Sequence, residues 1–224
     1  MAPACTEAKV GQTITMAAKT FAMDASYNYT AEGINGDVYC GTSFDDLADT
    51  GIKAAEGYFD ITFTAPGDYV VVVKSSVGDA AGFVKVEKAS VQVSNQDLTV
   101  DGKKVDIDHY NINDNNFFKL RDLACVLNGT SNTFDVGYDK ETRTIALTTG
   151  QAYTPIEGDM VIGADNSASA VVSNQKITVN GEAVGLTAVN IGGSNYFKLR
   201  DLEKYLGYAV GYDTATRTSQ ITTK

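Results

Sequence analysis

The chain has 224 residues, 43% of them hydrophobic, only three prolines and a formal net charge of -10. That composition is globular rather than disordered, and the acidic excess opposes the attraction that draws proteins to nucleic acid or an anionic bilayer. No apolar run approaches the roughly 20 residues of a membrane-spanning helix, and the length suits one large domain or two to three small ones.

From about residue 6 to 88, short alternating segments are broken by polar turns. Residues 10–16 alternate apolar and polar as a half-buried strand does. Asn35-Gly36-Asp37 reads as a turn. Residues 45–51 form an acidic loop that suits calcium in its carboxylates but lacks EF-hand spacing, so it reads as solvated, with no metal. A strand from Tyr58 ends at Pro66-Gly67, and another runs through Val70 to Lys74 and pairs with Gly82 to Glu87.

The passage Pro66-Gly67-Asp68-Tyr69-Val70 resembles the tyrosine corner of bacterial immunoglobulin-like sandwiches. The resemblance implies that the Tyr69 hydroxyl returns to a nearby backbone group, and it implies adhesion, spacing or display without catalytic residues. Tyr27, Tyr29 and Tyr39 are the candidates here for contact with a ligand. Cys5 and Cys40 fall in the same segment, and pairing or independence is open; three cysteines are too few for a disulfide scaffold.

From Ser90 the chain is written twice. Val93-Ser94-Asn95-Gln96 returns as Val172-Ser173-Asn174-Gln175, and Asn116-Phe117-Phe118-Lys119-Leu120-Arg121-Asp122-Leu123 as Asn195-Tyr196-Phe197-Lys198-Leu199-Arg200-Asp201-Leu202, both 79 residues on. Beyond that octad the offset falls to 74, placing Val136-Gly137-Tyr138-Asp139 against Val210-Gly211-Tyr212-Asp213, so the length difference lies in the loop at 128–132. Each copy predicts a hairpin at Asp101-Gly102 or Asn180-Gly181, then a short strand. A helix of about ten residues follows, with Leu120, Leu123, Ala124 and Leu127, or Leu199, Leu202 and Leu206, on one stripe. A second hairpin turns at 139–144 or 213–218. Residues 151–171 join the copies and hold a strand near Ala168 to Val172.

This strand, hairpin, helix and Gly-Tyr-Asp hairpin resemble the copper amine oxidase N-terminal-like domain, in two copies over about residues 91–223. Members occur on exported proteins of Gram-positive bacteria, and the resemblance implies a small antiparallel sheet curled around one helix. Copper in amine oxidases belongs to a separate catalytic domain. With His109 as the one histidine, no copper site and no cofactor are implied here. The start of the chain lacks the regions of a signal peptide, and we read it as an exported chain whose leader is replaced by an initiating Met.

The expected fold class is mainly β with α+β repeats. It comprises an immunoglobulin-like sandwich over residues 1–89 and repeats over 90–150 and 151–224, as a three-unit rod. Arg121 and Arg200 are expected to brace the helix to the following hairpin through Asp139 and Asp213. Tyr138 and Tyr212, repeated, read as core, His109 as a surface residue and Cys125 as a free, partly exposed thiol. The expected function is a non-catalytic secreted or cell-surface module acting as spacer, adhesion or binding scaffold, with cell-wall glycan or another surface protein as partner, and no nucleic acid and no membrane insertion. A cell-wall or glycan-binding module is the alternative. A hydrolase accessory domain or an enzyme using Cys40 or Cys125 with His109 is the remaining one.

Overall fold

The computed structural model describes residues 5–23, 25–26 and 29–224. The chain is mostly β and divides into two compact units, Met1–Ala89 and Ser90–Lys224.

The first unit contains β1 (Cys5–Lys9), β2 (Thr13–Ala17), β3 (Lys19–Met23), β4 (Tyr29–Gly33), β5 (Gly36–Gly41), β6 (Ala48–Ala54), β7 (Tyr58–Thr62), β8 (Gly67–Lys74) and β9 (Ala80–Glu87). A five-stranded sheet has the order β1-β9-β8-β5-β6, with β1 parallel to β9, and the pairs β2-β7 and β3-β4 stand apart from it. Strand β8 reads Val70-Val71-Val72-Val73 because it is central and covered on both faces, and all four valines are buried. Strand β7 alternates instead, burying Phe59 and Ile61 and exposing Asp60. The Tyr69 hydroxyl donates to the Ala65 carbonyl at 3.1 Å.

Three local expectations change in this unit. The strand expected over 10–16 is interrupted, because Gly11 takes a positive φ of 79° and the chain turns there before β2 begins. The turn expected at Asn35-Gly36-Asp37 is the start of β5 instead. Gly36 lies so close to a neighbouring strand that a Cβ would sit 2.1 Å from the Lys74 carbonyl oxygen, so the residue serves a close approach rather than a turn. The acidic loop is shorter than expected, since β6 begins at Ala48 and Asp46 closes the preceding turn by accepting from the Thr42 and Ser43 amides.

The open cysteine question is answered by the sheet order. Strands β9 and β8 lie between β1 and β5, so Cys5 and Cys40 are three strand spacings apart, roughly 14 Å. A disulfide needs Cα atoms within about 7 Å.

The second unit contains β10 (Val91–Val93), β11 (Asp97–Val100), β12 (Lys103–Val105), β13 (His109–Ile112), β14 (Asn115–Lys119), α1 (Leu120–Leu127), β15 (Phe134–Asp139) and β16 (Thr144–Thr149). Its second half contains β17 (Val171–Val172), β18 (Lys176–Val179), β19 (Glu182–Ala183), β20 (Val189–Ile191), β21 (Ser194–Lys198), α2 (Leu199–Leu206), β22 (Ala209–Asp213) and β23 (Thr218–Thr222). The Asp101-Gly102 and Asn180-Gly181 turns both take positive φ, as a two-residue hairpin demands. Helix α2 ends on the left-handed Gly207, whereas α1 ends on an extended Asn128 with the left-handed residue one place later at Gly129.

The two halves do not fold side by side. A six-stranded sheet runs β10-β13-β14-β21-β20-β17, with β14 and β21 paired at its centre so that Phe118 stands opposite Phe197. These residues are each other's counterparts in the repeat, so a pseudo-two-fold axis passes between them. The other two sheets are β12-β11-β23-β22 and β15-β16-β18-β19. Each joins a hairpin of one half to a hairpin of the other through a parallel pair, β11 with β23 and β16 with β18.

One continuous core results, containing Leu98, Phe118, Leu123, Leu127 and Phe134 from the first half and Ile177, Phe197, Leu202 and Ile221 from the second. Each fully buried Leu or Phe stabilises this core by about 1.5–3 kcal/mol. The units expected at 90–150 and 151–224 are therefore one body. The physical reason is that a hairpin and an eight-residue helix leave a sheet edge and an apolar stripe open, and the other half closes both.

Candidate functional site

The exchange of hairpins produces two equivalent clefts of about 350 Å³ each. In the first, Lys119, Leu120 and Arg121 at the start of α1 and Val136 to Tyr138 of β15 face Gln175, Asn190 and Asn195 of the second half. In the second, Lys198, Leu199 and Arg200 and Val210 to Tyr212 face Gln96, Asn115 and Asn116 of the first half. Both need both halves.

Tyr138 and Tyr212 are 42% and 43% exposed in these clefts, which corrects their reading as core. Tyr138 shares a strand face with the buried Phe134 and Val136, but it stands near the strand's end, where the core has ended and the cleft begins.

In the first cleft Arg121, Lys119 and Tyr138 are each engaged by other groups of the chain. Residues 151–170 pass over the start of α1 as a strap, anchored where Asn128 Nδ2 donates to the Tyr153 carbonyl and Asn128 Oδ1 accepts the Tyr153 amide. Arg121 Nη1 donates to the Tyr153 hydroxyl at 2.8 Å, and that hydroxyl donates to Asp159 at 2.7 Å. Burial pushes the Tyr153 hydroxyl up to about 12. Lys119 Nζ donates to the Gly158 carbonyl and pairs with Asp122 Oδ1 at 3.1 Å. Asp122 is fully buried and also accepts the Met160 amide, while its Oδ2 has no partner among the described residues. Tyr138 is engaged as well, accepting from Gln175 Nε2 at 3.0 Å.

No described segment passes over the start of α2 as residues 151–170 pass over that of α1. Lys198 lies over the Phe117 ring at 5.5 Å. Arg200 is exposed, and among the described residues neither it nor the Tyr212 hydroxyl has a hydrogen-bonding partner. Gln96 Oε1 accepts from Asn116 Nδ2, and Asp114 adds one carboxylate to the lining.

The expected braces are not present. Arg121 is held by Tyr153 and, at 3.5 Å, by the Val136 carbonyl, and no ion pair joins it to Asp139 or joins Arg200 to Asp213 among the described residues. Asp139 instead accepts the Glu141 and Thr142 amides of its own turn, and Asp213 those of Ala215 and Thr216. These amides lie within three residues, so the carboxylates are satisfied locally at little entropic cost. The Thr142 hydroxyl and these amides hold Asp139 below the usual carboxylate range, and the Thr216 and Ala215 amides do the same for Asp213.

Within the second unit, His109 and Cys125 are not brought together. His109 is half-buried rather than at the surface, stacked on Phe118 at 5.0 Å, with its ring nitrogens at the carbonyls of Ile107 and Gln96. The groove beside it contains Asp106, Asp108 and Ile162 and no cysteine. Cys125 is partly exposed, and burial followed by the charges of Asp159 and Asp122 pushes its thiol up to about 11, away from the reactive thiolate. Burial likewise raises the Cys40 thiol. Among the tyrosine candidates, Tyr39 lies under Lys74 Nζ at 4.4 Å. Tyr27 lies outside the described residues, as does the side chain of Tyr29, whose backbone opens β4.

Sequence reasoning missed the ties that cross between halves. Arg143 Nη2 donates to Asn174 and, equivalently, Arg217 Nη2 to Asn95. Thr149 donates its amide to Asn180, and Thr223 to Asp101. Their signal was present in the repeated Thr-Arg-Thr turns and the repeated Ser-Asn-Gln segments.

A family model matches residues 99–221, more than half of the chain, and it is that of the copper amine oxidase N-terminal domain, a non-catalytic domain. No curated protein matches the chain. The residues do not fit a copper ion. No group of three or more His, Cys, Asp or Glu is placed to hold a metal among the described residues, and the ring nitrogens of His109 face backbone carbonyls.

Proposed function

The chain belongs to the copper amine oxidase N-terminal domain family, and on that premise we propose that it is a non-catalytic extracellular module of a secreted or cell-surface Gram-positive protein, recognising cell-wall glycan through its paired clefts. The observation that carries this reading is the exposure of Tyr138 and Tyr212, each beside side-chain amides in an open cleft. Aromatic faces flanked by amides suit sugar rings, whose CH faces are apolar and whose rims are polar. The acidic net charge argues against nucleic acid and anionic bilayers, and the raised Cys125 thiol supports a role other than catalysis.

The first unit serves, in this reading, as an immunoglobulin-like spacer or adhesive domain. The β1-β9-β8-β5-β6 order, the separate β2-β7 pair and the bond from Tyr69 to Ala65 support it. The tandem-repeat reading of the second unit is supported by the equivalence of its two clefts.

Sedimentation of the intact chain with insoluble peptidoglycan, alongside a glycan array, tests the proposal. The expected result is co-sedimentation that is lost in a Tyr138→Ala/Tyr212→Ala double variant which unfolds as the parent does. Absence of binding to every glycan would leave a spacer and overturn recognition.

A further inference from the structure

The two clefts share a shape but differ in what they leave free. In the first, the strap engages Arg121 through Tyr153 and Lys119 through Gly158, Asp122 pairs with Lys119, and Gln175 engages Tyr138. The second has the same residue types without those partners. Arg200 and the Tyr212 hydroxyl are unengaged among the described residues, and Lys198 has a ring rather than a carboxylate beside it. Lys198 and Arg200 outnumber the one carboxylate of the lining, Asp114, so the cleft is locally cationic in a chain of net charge -10.

Resting on the glycan reading above, we propose that the second cleft is a subsite for a pyranose bearing one carboxylate. Arg200 takes the carboxylate, because a guanidinium presents paired N–H donors in the plane that a carboxylate accepts. The exposed Tyr212 ring lies against the sugar ring, and Gln96, Asn116 and Asp114 meet the hydroxyls. A volume of about 350 Å³ suits one or two sugar units. The Tyr face and the amides distinguish this site from a bare anion site, which would need neither. The first cleft is the same device with its cation already engaged, and it does not select for acid.

The test is a 1H–15N titration of the intact chain with methyl β-D-glucuronide, methyl β-D-glucoside and sodium acetate. The glucuronide is expected to shift the Gly211 and Tyr212 amides saturably and about tenfold more tightly than the glucoside, with Gly137 and Tyr138 responding alike to both glycosides and acetate weaker than the glucuronide. Arg200→Gln is expected to abolish the preference for the acid, and Lys140→Gln, on an exposed turn outside both clefts, to preserve it. Equal affinity of the second cleft for the two glycosides, acetate as tight as the glucuronide, the same preference for the acid in both clefts, or a preference surviving Arg200→Gln would each overturn the assignment. If the intact chain sediments with peptidoglycan while neither glycoside shifts the second cleft, the subsite is wrong and glycan recognition stands. If it does neither, both are wrong.

Discussion

Phe118 and Phe197 stand opposite each other in the central strand pair of the second unit, each facing its own counterpart from the other repeat. They are 1% and 0% exposed. Phe118→Ala removes a ring from a core that both halves share, and a loss of about 3–5 kcal/mol is expected. Amide exchange checks how the loss is distributed. Protection in α1 and α2 is expected to fall together, whereas a loss confined to α1 would mean separate cores.

The Lys119–Asp122 pair is buried under the strap, while the equivalent Lys198 is only partly buried. Lys119→Met leaves a buried carboxylate without its cation, and about 3–5 kcal/mol of destabilisation is expected in urea titrations. Lys198→Met is expected to cost less than about 1 kcal/mol. A Lys119→Met/Asp122→Leu double variant is expected to be more stable than Lys119→Met alone. Similar effects at the two lysines would contradict the strap's role.

Acid is expected to weaken the fold through carboxylates that their hydrogen bonds hold low. The Thr223 amide and hydroxyl lower Asp101, and the Thr42 hydroxyl and the Ser43 amide bring Asp46 down to about 2. A carboxyl whose folded pKa is depressed stabilises the fold above its unfolded value of about 3.9, and that contribution is lost as pH falls through the folded value. The thermal midpoint of Asp101→Asn is therefore expected to lie below the parent's at pH 6, with the gap narrowing as pH falls below about 3.9. A gap unchanged across that range would contradict the role given to the Thr223 contacts.

Much of the local structure was legible because its causes are local. The Asp101-Gly102 and Asn180-Gly181 turns, the two leucine stripes and the Pro66-Gly67 corner each carry their signal within ten residues. The exchange of strands carried no such signal. Alternation shows which face of β11 or β16 is buried but not which edge partner it takes, and β11 meets a strand more than a hundred residues later. The misreading of Tyr138 and Tyr212 has the same root, since their strand face is apolar and only the position of the other half shows where the core stops. Gly36 resembled a turn residue because close backbone approach and positive φ select the same residue type. The braces failed because repetition showed that Asp139 and Asp213 matter without showing that the nearest amides already satisfy them.

The most direct test of the shared body is to produce residues 90–150 and 151–224 as separate chains, alone and mixed, and to follow their unfolding in urea. Alone, each is expected to lack a cooperative transition as a monomer, because β11 and β16, or β18 and β23, have lost their parallel partners. Mixed in equal amounts, they are expected to recover a single transition like that of residues 90–224. A monomeric 90–150 fragment that unfolds cooperatively by itself would contradict the account.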